Sequence, residues 1–175
     1  MKSVPVILLL LLLHSSAALA CSCVGATGSE KEQVAAAYQR DALVFVGRVL
    51  SVEKVVATDT LRVSDTGPLE QRVRLTQHET FRYTFAVARK YKGLTTESTV
   101  QVSSETQSAS CGREFKVGSA YLLYGYQISE KYPADGGPAT LITPYFATSL
   151  CNRGQELREV KRAELKQLKK LAKAG

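Results

Sequence analysis

The feature that most constrains this chain is the placing of its 4 cysteines: Cys21 and Cys23 stand one residue apart, and Cys111 and Cys151 lie far downstream. Immediately before Cys21 comes a targeting segment. Lys2 supplies a positive start, Val6 to Leu13 is an unbroken apolar run, and Ala18-Leu19-Ala20 is a small-x-small site, the pattern a signal peptidase cuts after. The run is too short for a bilayer-spanning helix, which needs about 20 apolar residues. Residues 1–20 therefore read as a signal peptide and residues 21–175 as one mature domain, secreted or periplasmic. A cysteine directly after the cut is also what lipoprotein processing needs. Such sites usually carry a larger aliphatic residue where this chain has Ala18, so a lipoprotein at Cys21 stands as the alternative.

An even number of cysteines in an exported chain reads as a disulfide framework. Of the three possible pairing patterns, the one with a Cys21–Cys23 bridge would close a cramped ring across a single residue. Each N-terminal cysteine is then tied to one of the two distant ones, in either combination. Loops of roughly a hundred residues closed this way are worth about 4–5 kcal/mol each in the chain-entropy model. A zinc site is the competing use of four cysteines, but zinc sites favour paired spacings, and Cys111 and Cys151 are isolated. No metal of its own and no cofactor are expected.

Processing leaves about 155 residues, enough for one domain with a proper core. The formal net charge of +7 favours acidic partners or surfaces without defining a fold. Ser29 to Arg40 reads as a short helix capped by Ser29, with Glu30 and Glu32 in its first turn. Ala42 to Val56 reads as a long strand, bent or bulged at Gly47. Residues 57–69 are polar and read as a loop. Alternation then places Phe81, Tyr83, Phe85 and Val87 on one face of a second strand that ends at Lys92-Gly93. Ser98 to Ser103, Ala120 to Tyr126 and Ala139 to Tyr145 complete five strands, the last with Pro144 marking an edge. Gln155 to Lys173 reads as a helix, with Leu157, Val160, Leu165, Leu168 and Leu171 on one stripe. Arg158, Arg162, Lys166, Lys169 and Lys173 lie opposite, and Lys161 interrupts the apolar side. The expected fold is mainly β: a five-stranded OB-fold-like Greek-key barrel with a short N-terminal helix and a C-terminal helix. The tail's basic face is expected in solvent, with docking on an anionic membrane as its functional variant.

Little here suits an enzyme. The mature chain has one histidine, His78. It carries no G-x-S-x-G, no phosphate-binding glycine loop and no paired-histidine zinc motif. Its cysteines, once oxidised, are not thiolate nucleophiles. No nucleic-acid partner is expected, and the chain is expected to be a monomer.

Cys21-Ser22-Cys23-Val24 at a freshly cut N-terminus resembles the start of the tissue inhibitors of metalloproteinases. The resemblance continues in order through Phe45-Val46-Gly47, Tyr91-Lys92-Gly93-Leu94, Ser110-Cys111-Gly112, Tyr121-Leu122-Leu123-Tyr124-Gly125 and Cys151-Asn152. It is to the netrin-like, OB-fold inhibitory domain in a stripped, single-domain form. The third disulfide of that domain and the second cysteine-rich domain of animal relatives are missing. Gly25 stands where a proline is common.

The resemblance implies pairing of Cys21 with Cys111 and Cys23 with Cys151. It implies a zinc metalloproteinase as partner, whose zinc the α-amine and carbonyl of Cys21 would chelate. Ser22, Cys23 and Val24 would occupy the protease cleft, beside the loop carrying Ser108, Ala109 and Ser110. A different class of function fits the same features: a non-inhibitory netrin-like binding module of the extracellular or periplasmic space, in which the C-x-C merely pins the N-terminus.

Overall fold

The computed structural model describes residues 21–25, 27–94, 96–106, 110–133 and 137–174. The expected signal peptide, residues 1–20, lies outside the described residues, as do Ser108 and Ala109.

The first element is helix α1, Glu30–Arg40. Ser29 caps it through a capping box: its hydroxyl accepts from the Glu32 amide, while the Glu32 carboxylate accepts from the Ser29 amide at 2.7 Å. Strand β1, Leu43–Arg62, follows at once. From Leu43 to Gly47 it is buried throughout, which explains why its sequence does not alternate. Leu43, Phe45 and Val49 point into a barrel, and Val44 and Val46 point out against helices. Gly47 sits at an irregularity in the β1–β2 register. A Cβ there would lie 2.6 Å from the Phe45 ring and 2.8 Å from the Ala86 carbonyl, so the close approach of two strands requires glycine.

The expected loop over residues 57–69 is half strand. β1 runs on to Arg62 and returns, through the short helix α2 (Leu69–Arg72), as β2 (Val73–Lys92), with Arg62 opposite Val73. This outer ribbon is a two-stranded arm with most of its side chains in solvent. An arm exposed on both faces needs no apolar alternation, so its polar sequence resembles a loop. Nearer the barrel, Tyr83 and Phe85 are buried and Phe81 and Val87 pack beside them, the face expected from their alternation.

Strands β3 (Thr99–Glu105), β4 (Ala120–Lys131) and β5 (Thr140–Ala147) complete a circuit. Its order is β1-β2-β3-β5-β4, and a β4–β1 pairing closes it. The β3–β5 junction is parallel (Val102 opposite Phe146) and the other pairings are antiparallel. A sixth strand, β6 (Gly154–Glu156), adds to β4 on the edge opposite β1. The sheet thus has six strands where five were expected.

Phe115, from the segment after Cys111, plugs the barrel. Its ring meets Tyr83, Phe85 and Tyr121 edge-on, at centroid distances of 5.0, 5.3 and 4.9 Å. Phe115→Ala is expected to cost about 3–5 kcal/mol, measured by urea unfolding. A loss below about 1 kcal/mol would mean that the segment does not depend on this plug.

The tail is not one helix from Gln155. Gly154 has a φ of 132°, residues 154–156 pair with the free edge of β4, and a 3-10 turn spans Leu157–Glu159. Only then comes α3, Arg162–Ala174. An open strand edge competes with helix formation here and satisfies the backbone first. The apolar stripe survives the break. Leu157, Val160, Leu165 and Leu171 pack around buried Leu168, against Val34 of α1 and the outer faces of β1 and β4. Lys161, which interrupts the stripe, reaches Glu30 of α1 at 2.8 Å.

Candidate functional site: the tethered N-terminal segment

Residues 21–25 lie outside any helix or strand, and two disulfides hold them. Cys21 is bonded to Cys111 and Cys23 to Cys151, each with Cα atoms 5.2 Å apart. The sulfurs of Cys21, Cys111 and Cys151 all lie within 4.8 Å of one another, so the bridges stand side by side. The bridges tie down half-buried Cys21 and exposed Cys23 and leave the side chains of Ser22 and Val24 free of any tether. Ser22 and Val24 are both exposed, Val24 almost completely at 99%.

The rigidity of this ridge depends on its two anchors, and both are fixed. Cys111 takes the left-handed backbone conformation, with φ at 60°, uncommon for a residue with a side chain. Its carbonyl accepts from the Leu150 amide at 2.8 Å, joining one anchor loop to the other. Arg113 strengthens the joint. Its amide donates to the Ser104 hydroxyl of β3 at 2.7 Å. Its guanidinium donates to the carbonyls of Gly154 (2.7 Å), Asn152 (2.8 Å) and Leu150 (3.3 Å). Burial pulls its pKa below the ordinary arginine value, and these carbonyl dipoles offset the lost water.

The Cys151 loop is fastened from below. The Asn152 side-chain oxygen accepts from the Ser149 amide and hydroxyl, each at 2.9 Å. Its amide nitrogen donates to buried Asp41 at 3.1 Å, and Asp41 is also paired with Arg40 at 2.9 Å. Thr148 donates from its amide to the Ser103 carbonyl and from its hydroxyl to the Tyr124 carbonyl. Next along, Arg153 grips the buried Glu164 of α3 with two bonds, 2.8 and 3.0 Å. The Tyr124 hydroxyl donates to the same carboxylate at 2.8 Å. Burial first, then the Glu164 charge, raise the phenol's pKa far above its usual range, so it stays a donor. The ridge is thus coupled to β3, β4, α1 and α3.

Of the residues expected at the site, Cys21, Ser22, Cys23 and Val24 form the ridge, and Ser110 is exposed directly before Cys111, the disulfide partner of Cys21. The disulfide partners implied by the resemblance are the ones present. Arg113, Glu164 and Phe115 were not legible as contributors. An arginine two residues after a cysteine carries no local signal, because three converging carbonyls from another loop give it its role. His78 lies on the outer arm, 3.1 Å from the Glu105 carboxylate and largely exposed. Among the described residues, the one grouping with metal-ligand spacing is Cys21, Cys111 and Cys151, whose sulfurs are spent in disulfides; thiolates are the ligand form.

No protein-family model matches the chain, and no curated protein matches it. The two disulfides suit an oxidising extracellular or periplasmic environment. No helix among the described residues is long and apolar enough to cross a membrane.

Proposed function

We propose that this protein is a secreted, single-domain inhibitor of zinc metalloendopeptidases of the tissue-inhibitor type, acting through the backbone of Cys21. The observation that carries the reading is the doubly tethered ridge. It holds Cys21 at the point where cleavage after Ala20 would create a new N-terminus, with Ser22 and Val24 exposed. The circuit β1-β2-β3-β5-β4-β1, parallel only at β3–β5, supports an OB-type Greek-key barrel, the scaffold of the netrin-like inhibitors.

The chemistry follows from the protease rather than from this chain. A catalytic zinc keeps a coordination position open for water. An α-amine has a pKa of about 7.7–8, so its lone pair is available near neutral pH. The amine nitrogen and carbonyl oxygen of Cys21 would close a five-membered chelate on that zinc and displace the water. Ser22 would enter the pocket that takes the substrate side chain after the scissile bond, and Cys23 and Val24 would continue along the cleft. A ridge fixed by two bridges loses little conformational entropy on docking.

The test is an inhibition panel. The mature chain, with its Cys21 amine shown free by mass spectrometry, is expected to block at least one zinc endopeptidase stoichiometrically and to stop doing so once that amine is carbamylated. Failure of the free-amine protein across the panel would sink the inhibitor reading and leave a netrin-like binding module. An acylated Cys21 would make it a lipoprotein without the chelating group.

A further inference from the structure

We propose a second binding site, unrelated to the ridge: a groove between α3 and β2 that takes a linear anionic polysaccharide. The groove has a volume of about 210 Å³ and is lined by Arg89, Arg162, Leu165, Lys166 and Lys169. Arg89 comes from β2 and the others from α3, so cations stand on both walls. No acidic residue lines it.

The clustering of unpaired cations from two elements around one groove carries the proposal, where several other surface cations are each matched by a carboxylate. Lys54 faces Glu79, Arg82 faces Glu53, Arg158 faces Glu156 and Lys161 faces Glu30. Arg89, Arg162, Lys166 and Lys169 are exposed and, among the described residues, have no ion pair. Arg162, Lys166, Lys169 and Lys173 follow each other at spacings of four, three and four. They form one row about 16 Å long on the helix. Like charges so spaced destabilise a helix, and Arg162, in the first turn, also opposes the helix dipole. Helix stability therefore does not account for the row. An anion lying along it would.

The shape and chemistry of the groove select the kind of anion. The apolar side of α3 is used up, because Leu165, Leu168 and Leu171 pack on the barrel. No apolar face remains for insertion into a bilayer, which an interfacial helix needs. No aromatic ring lines the groove, so it offers no stacking platform for the bases of a single strand. A chain of sulfate or carboxylate groups, of the kind found outside cells, needs only a row of cations with a slot to lie in. Arg89 and Arg162 present planar forks to such groups and the lysines present point charges.

The test uses the mature, disulfide-bonded protein and a size-defined heparin oligosaccharide as probe, with neutral dextran as control. Binding is expected at about 0.15 M salt, weakening as salt rises. K166Q/K169Q should weaken it at least about tenfold and lower the slope of log affinity against log salt by about 2. R74Q/K116Q removes the same charge from exposed positions away from the groove and should bind as the unaltered protein does. Circular dichroism confirms that both variants fold. Equal losses in the two variants would reduce the effect to net charge and overturn the site. So would failure to bind heparin, or tighter binding to phosphatidylserine vesicles than to heparin, which would make a membrane the partner instead.

Discussion

Placing one alanine before Cys21 is expected to weaken protease inhibition by about a thousandfold, equivalent to about 4 kcal/mol of binding, with no change in folding stability. The extension converts the Cys21 amine into an amide, whose lone pair is delocalised and cannot bind zinc. It also adds a residue where the cleft floor would be. The fold is untouched, because both bridges and the anchor loops remain. The pH dependence separates this mechanism from simple steric block. If the free amine is the ligand, inhibition should weaken about tenfold per pH unit below the ordinary α-amine pKa of about 7.7–8, where the proton competes with zinc. Ser22→Gly should cost much less, and Ser22→Arg should redistribute preference between deep and shallow pockets. An alanine-extended protein that folds and still inhibits at full strength would show that Cys21 is not a zinc ligand. The inhibitory surface would then have to lie elsewhere on the barrel.

The second large effect is on stability. Cys21→Ser/Cys111→Ser and Cys23→Ser/Cys151→Ser are each expected to lower stability by about 2–5 kcal/mol, a large share of the roughly 5–15 kcal/mol typical of a domain. The bridges link residues 90 and 128 positions apart, so their loss enlarges the unfolded ensemble greatly. Little of the native barrel should change. The Cys111 and Cys151 loops are joined to each other by the Leu150–Cys111 hydrogen bond and by Arg113, and are fixed below by Asn152 and Asp41. None of these contacts uses a sulfur. Urea unfolding should show the lower midpoint, while near-ultraviolet circular dichroism of the Phe115 cluster stays as in the unaltered protein. Collapse of that signal in either double variant would mean the bridges shape the barrel rather than tether the ridge to it. The two variants should also differ in function. Without Cys21–Cys111 the proposed ligand residue is loose and inhibition should fall sharply; without Cys23–Cys151 it is still held.

Much of this architecture is written locally. Ser29 and Glu32 specify the start of α1 through a reciprocal pair of hydrogen bonds that needs only residues three apart. The alternation of Phe81, Tyr83 and Phe85 specifies which face of β2 is inside. The leucine spacing of the tail specifies that it lies on something apolar. The C-x-C fixed where the N-terminal ridge would be tied, although the choice between its two distant partners came from family resemblance and not from spacing.

Other features rest on distant surfaces that no window of sequence contains. The outer arm is strand and not loop because residues 57–62 meet residues 73–78 in register, although neither stretch shows a buried face. The tail begins as a strand because β4 offers a free edge beside Gly154. Arg113, Asn152 and Glu164 become structural because carbonyls, Asp41 and Tyr124 are brought to them from elsewhere in the chain. The basic groove exists because β2 sets Arg89 across from a row of charges on α3. Sequence alone determined the start of α1, the inward face of β2 and the cysteines that tie the N-terminus, since these depend on neighbours within a few residues or on a count. Tertiary structure alone decided the sixth strand, the arm and both anchor loops, because an unpaired strand edge or a buried polar atom is satisfied by whatever the fold places within about 3 Å of it.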